Sequence, residues 1–177
     1  MRQRLENHNM KPRHIFLTTL SAFLLAACAQ PAERSNMVFE KTAATIFWEK
    51  SPLLKAITIK AVHGGQDTNP LWTSQVDNSS FRHALEASFK NYDLLSGAPA
   101  SAKLGLTVNL RKMVQPFGGF DMTVTSDIQY LLVRRRDSSK AGGFIVLAPY
   151  TATFGDAAYG VTRLRLANEG AIRDNIR

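Results

Sequence analysis

Leu104, Leu106, Val108 and Leu110 alternate with Gly105, Thr107, Asn109 and Arg111. A period of two puts every second side chain on one face, so this stretch predicts a half-buried strand. A strand with one apolar face needs a second layer to cover it. The next stretch of chain keeps the same rhythm. Asp121–Arg134 places Met122, Val124, Ile128, Tyr130 and Leu132 on one side, with Thr123, Thr125, Asp127 and Gln129 on the other. Arg136–Gly142 reads as a hairpin turn. Phe144–Phe154 reads as a third strand, with Pro149 marking an edge or a bulge. Three consecutive strands of this kind form an antiparallel meander.

The covering layer is also written in the chain. Phe81, Leu85 and Phe89 recur every four residues, joined by Ala84 and Tyr92, over a helix expected from Ser79 to Leu94. Asp77 or Asn78 can cap it. Leu164, Ala167, Ala171 and Ile172 give an apolar side to a last helix, Val161–Ile176. Ala56–Val62 supplies one more strand candidate, and His63–Val76 is loop chemistry. The expected fold class is α+β: a two-layer sandwich, with a mostly antiparallel sheet of about four strands. The order is strand, helix, three-strand meander, helix, with both helices on one face.

The N-terminus follows different rules. Arg2, Arg4, Lys11 and Arg13 face only Glu6 in the first 14 residues, and Ile15–Ala27 then carries no charge over 13 residues. That run is shorter than the ~20 residues of a membrane-spanning helix. A basic leader, a short apolar core and small residues at its end read as an export signal. Met10 is an alternative initiator, because Met10–Arg13 and the apolar run already make a complete signal. The segment closes Leu25-Ala26-Ala27-Cys28, and Cys28 is the chain's single cysteine. These residues resemble the lipobox of bacterial lipoproteins. The resemblance implies cleavage between Ala27 and Cys28, diacylglycerol on the Cys28 sulfur and an acyl chain on the new amino group. It also implies the periplasmic face of the outer membrane, because Ala29 rather than Asp follows the cysteine. The alternative reading of Cys28 is a small buried hydrophobe. One cysteine excludes an intramolecular disulfide and any multi-cysteine metal site.

The domains expected are therefore 1–27 as signal peptide, 28–45 as lipidated cysteine and tether, and 46–177 as a periplasmic domain. Removing residues 1–27, which carry a net +3, leaves 150 residues at a net +5 from a total of +8. What looked like a nucleic-acid-binding charge becomes a mildly basic envelope domain, and no nucleic acid partner is expected. The element order resembles that of small outer-membrane lipoproteins such as the LPS-assembly lipoprotein family. That likeness is one of architecture and transfers no binding residue.

Catalytic patterns are scarce. His63 and His83 have no ligand partners at helical spacing, and no HExxH or GxSxG occurs. Ser74, His63 and Asp67 could form a triad only by tertiary accident. No cofactor and no metal are expected beyond the lipid on Cys28. Two features are candidate partner-binding sites. Leu71 and Trp72 lie in the long loop, where a buried aromatic could anchor a partner or fold back on the core. Arg134, Arg135 and Arg136, with Arg111 and Lys112, could meet anionic head groups, or simply solvate a hairpin end. The function expected is a non-enzymatic lipoprotein that binds an envelope protein or an anionic envelope lipid. The alternatives are a lipid- or LPS-binding module, marked by an open apolar cleft between helices and sheet, and an anchored envelope hydrolase.

Overall fold

A computed structural model describes residues 28–40, 51–71 and 73–177. The leader, Leu25, Ala26, Ala27, the Ile46–Trp48 cluster and Trp72 lie outside the described residues. Four strands form one sheet in the order β1-β2-β3-β4: β1 Ile57–His63, β2 Leu104–Val114, β3 Met122–Arg134 and β4 Lys140–Ala152. Helix α1 spans Asn78–Asn91 and α2 spans Gly160–Ile176. The expected α+β class and element order hold. β1 runs parallel to β2 through the α1 crossover, and the remaining pairs are antiparallel.

Side chains of β2 and β3 at the alternating positions, Leu106, Val108, Leu110, Val124, Ile128 and Tyr130, are buried beneath the helices. α1 meets them with Phe81, Ala84 and Leu85, the stripe read from the sequence. Asp77 is its cap, accepting the Ser80 N–H at 2.8 Å. The helix ends at Asn91, short of the expected Leu94. Asp93 takes a left-handed φ of 56°, and the Leu94 N–H returns to Phe89 O.

The β3–β4 turn also differs from expectation. It closes at residues 135–139, where Asp137 accepts from the Ser139 N–H and hydroxyl. Gly142, expected in the turn, lies inside β4 with Gly143. The Ser139 contacts, helped by Arg136, hold the Asp137 carboxyl down at about 2. A carboxylate on its own turn amides closes a loop without glycine.

α2 buries more than alanines. Asn168, Glu169 and Asn175 are each at most 4% exposed. Asn175 donates to Ser126 Oγ at 2.9 Å and Val146 O at 3.0 Å, and accepts the Tyr130 hydroxyl at 2.9 Å. Asn168 donates to Ser74 O at 2.9 Å. These bonds lock the helix to β3, β4 and the long loop, so the polar groups are buried with partners.

The described part of the segment expected to be a tether is not free. Residues 28–40 run along the two helices, with a 3-10 turn at Arg34–Met37. Met37 is fully buried among core residues, and Ala29 and Ala32 are 4% exposed. Ala29 N–H donates to Pro70 O at 2.8 Å and Ala32 N–H to Gln75 O at 3.1 Å. Glu169 accepts from the Glu33 N–H at 2.7 Å and Asn36 Nδ2 at 2.9 Å. Phe39 N–H donates to Ser88 Oγ at 2.9 Å. A single apolar anchor and a backbone satisfied at several points make this part of the domain.

Candidate functional site

The two layers separate at the end where β2 begins and β3 finishes. A groove of about 570 Å³ lies there between helices and sheet, lined by residues of the C-terminal turns of both helices. Its floor is Ile57, Leu106, Tyr130, Leu132 and Val146, and its walls include Phe39, Phe89, Tyr92 and Phe144. Two stacked pairs frame it: Phe39 on Tyr92 at 5.6 Å and Phe144 on Tyr130 at 5.2 Å between centroids. Among the described residues the groove is open and mostly apolar, of a size typical for small-molecule sites.

The lining also includes Asp174 and Arg177, and two of its hydroxyls are committed to structure. Tyr130 donates to Asn175, and burial pushes its hydroxyl well above the ordinary phenol range. Ser88 donates to Ala84 O and accepts from Phe39 N–H. A lining of this kind suits an apolar chain.

A basic furrow of about 630 Å³ adjoins the groove, lined by Pro52, Ala56, Lys103, Leu104 and the three arginines, Arg134, Arg135 and Arg136. The two depressions share strands. Leu104 pairs with Arg134 in the furrow, and one step on Leu106 pairs with Leu132 in the groove. Positions two apart on a strand face the same side. Arg134 donates to Lys140 O at 3.1 Å, and Arg135 donates to Pro99 O. Arg136 pairs with Asp137 at 3.1 Å, with its side chain 86% exposed. Two of the three guanidiniums therefore tie loops together while keeping donors to spare, since each carries five.

The other candidates scatter. Arg111 sits at a bulge near the far end of β2, paired with Asp127 at 3.5 Å, so Arg111 and Lys112 make no continuous patch with Arg134–Arg136. Leu71 is 88% exposed at a loop tip. His63 and Asp67 are exposed while Ser74 is buried, and Ser74 Oγ has no hydrogen-bond partner among the described residues; no triad forms there. His83 is exposed and donates through Nδ1 to Ser79 O at 2.8 Å. Among the described residues no cluster of three metal-ligand side chains occurs. No described helix is long and apolar enough to cross a membrane. Cys28 is half-buried at the start of the docked segment.

Sequence reasoning missed the groove. Phe39, Phe89, Tyr92 and Phe144 are far apart in sequence and each reads as ordinary core.

No family model matches the chain, and no curated protein matches it. Solved structures do. Protein XCC0632 from Xanthomonas campestris, of family DUF330, aligns with a TM-score of 0.54 at 10% identity, over 84% of this chain and 93% of that one. A "putative lipoprotein" from Caulobacter crescentus CB15 aligns at 0.46 and 13% identity, over 70% and 84%. Lipoprotein GNA1162 from Neisseria meningitidis aligns at 0.33 and 12% identity, over 55% and 83%. At such identities a likeness is one of fold alone, and the first of these shows that this α+β arrangement is also built by another sequence.

Proposed function

We propose that the chain is a lipid-anchored, non-enzymatic lipoprotein of the bacterial envelope, held by Cys28 at the periplasmic face of the outer membrane. In this reading it binds an anionic amphiphile of the envelope. The acyl chain lies in the groove over Leu106, Leu132 and Val146, and the anionic head meets Arg134 and Arg136 in the furrow. The observation that carries the reading is the placement of the two linings two residues apart on β2 and β3, with Leu104 and Arg134 in one and Leu106 and Leu132 in the other. Apolar burial supplies affinity, and a guanidinium cluster at one end supplies head-group preference. The anchor itself rests on the Leu25–Cys28 motif and the basic, then apolar, leader before it.

The test titrates the purified protein with fluorescent palmitoyl lysophosphatidate. Saturable binding is expected, weakened about tenfold or more by Leu132→Trp, which fills the groove. Arg134→Gln with Arg136→Gln should weaken it less and flatten its salt dependence. Equal affinity for a neutral lysolipid, or no saturable binding, refutes the amphiphile reading. In parallel, the mass of the membrane-extracted protein should begin at residue 28 and carry lipid. Cys28→Ser should stay unprocessed, and an unmodified full-length mass refutes the anchor.

A further inference from the structure

Cys28 opens a segment that leaves no slack. The next residue, Ala29, is already buried and bonded to Pro70 O at 2.8 Å. The lipid-bearing position is thus fixed at one end of the domain, beside the loop whose tip carries Leu71, 88% exposed. Thr73 N–H returns to Asn69 O at 3.1 Å, which closes that tip.

The β2–β3 turn and the β4–α2 loop lie at the same end. Gln115 donates to Ser74 O at 3.0 Å and joins this turn to the Leu71 loop. The turn then exposes Phe117 at 104% and Phe120 at 82%, and the β4–α2 loop exposes Phe154 at 55%. Phe120 and Phe154 are held in place. Their rings meet edge-on at 6.3 Å, and Asp121 accepts the Phe154 N–H at 3.1 Å. The Arg163 guanidinium lies 5.2 Å over the Phe154 ring. It also donates to Ala157 O, Ala158 O and Gly119 O. Asp156 accepts from Thr153 and stiffens the same loop, and accepting those bonds keeps it ionised to lower pH than usual. Exposed Arg111 and Lys112 lie among the last residues of β2 before this end, Arg111 paired with Asp127.

We propose that this end is a membrane-contacting face. Phe117, Phe120, Phe154 and Leu71 seat in the interfacial layer of the bilayer that holds the acyl chains of Cys28. The proposal rests on the anchored reading above. A lipidated sulfur sits at head-group depth, and a segment without slack brings its neighbours to the same depth. Apolar groups at that level bury roughly 5–10 Å into the boundary between head groups and acyl chains. Loops tipped by phenylalanines beside an anchor match that layer, and the basic residues late in β2 match anionic head groups. The basic hairpin then points away. β2 alone, from Leu104 to Val114, separates the two ends by roughly 30 Å at about 3.3 Å per residue. That exceeds the Debye length of about 8 Å in physiological salt, so Arg134–Arg136 do not feel this bilayer.

The test uses the acylated mature protein, residues 28–177, reconstituted into phosphatidylethanolamine–phosphatidylglycerol vesicles. Cys28 is the only cysteine and is blocked by lipid, so Phe117→Cys or Arg136→Cys takes a single nitroxide label. Both positions are exposed, so folding should survive, and circular dichroism checks it. The label at 117 should be at least severalfold more accessible to oxygen than to a water-soluble nickel relaxant. The label at 136 should behave as in bulk water. Equal water exposure at 117 and 136 in an acylated protein overturns the orientation alone. A protein whose Cys28 carries no lipid, and so labels at 28, overturns the anchored reading and the orientation together.

Discussion

Met37 separates a docked N-terminal segment from a free tether. Its side chain is fully buried and belongs to the main core cluster with Phe81, Leu85 and Ile172. Met37→Ala removes that volume. Where the surroundings cannot collapse, truncating a buried methionine costs about 2–5 kcal/mol. In a solvated tether the same change costs within about 0.5 kcal/mol. The two readings therefore differ by at least about 1.5 kcal/mol, which denaturant midpoints resolve. For a domain near this size, each kcal/mol moves the melting temperature by about 2–4 °C. A drop of at least roughly 4 °C is expected. The loss has a ceiling, because the segment can detach before the sheet unfolds. Hydrogen exchange at the Ala32, Glu33 and Phe39 amides, all bonded to the domain, reports that route. A midpoint unchanged within about 0.5 kcal/mol, together with unprotected amides at these three positions in the parent, would refute the docked segment and the orientation built on it.

Other perturbations test single links. Asn175→Ala should cost about 2–4 kcal/mol in urea unfolding, because three buried hydrogen bonds of about 0.5–1.5 kcal/mol each are lost and Val146 O is orphaned. Gly64→Ala should destabilise strongly: φ is +85° and a Cβ would stand 2.0 Å from Leu110 O, so soluble expression should fall. Glu169 carries a pH signature. Burial raises its folded-state pKa against the opposing bonds from Glu33 and Asn36 and the nearby Arg165. A raised carboxyl pKa means its contribution is complete below the unfolded value and declines as pH rises through the folded one. The stability deficit of Glu169→Gln should therefore shrink between acid and neutral pH, and a deficit growing with pH would contradict the assignment. Asp77→Ala should cost about 1 kcal/mol in the same assay, through loss of the cap on Ser80.

Most of the sheet and both helices were legible because period-two and period-four patterns in β2, β3 and α1 report burial directly. Where the reading slipped, the local decision fell at a polar residue. The Asp137 side chain closed the hairpin turn, and a left-handed backbone at Asp93, not a side chain, ended α1 short of Leu94. The docked segment was missed for a related reason. Residues 29–36 look polar and featureless because their backbone, more than their side chains, makes the contacts. The partners are Pro70 O, Gln75 O and the Glu169 carboxylate. Glu169 and Asn168 in turn looked like the solvated face of α2, since their partners come from distant loops. The groove was not legible because its lining, Phe39, Phe89, Tyr92 and Phe144 among them, is far apart in sequence and each residue alone reads as core.

The two depressions and the phenylalanine-tipped loops occupy opposite ends of the domain, and this constrains how a ligand could arrive. The groove opens where β2 starts, beside Leu104 and Arg134; Cys28 and the exposed rings lie where β2 ends, beyond Val114. If the ring-bearing end rests on the bilayer, the groove mouth stands roughly 30 Å from it. An acyl chain cannot cross that aqueous gap unaided at useful rates, since each exposed CH₂ costs about 0.8 kcal/mol. The ligand would then come from a carrier or a partner protein reaching the basic hairpin. Arg136, its side chain 86% exposed, would steer an acidic partner by long-range charge. Charge reversal there, Arg136→Glu, should slow loading of palmitoyl lysophosphatidate from an acidic carrier protein in low salt. It should leave loading from free micelles less affected. Equal slowing from both sources would place Arg136 on the ligand and remove the argument for a delivering partner.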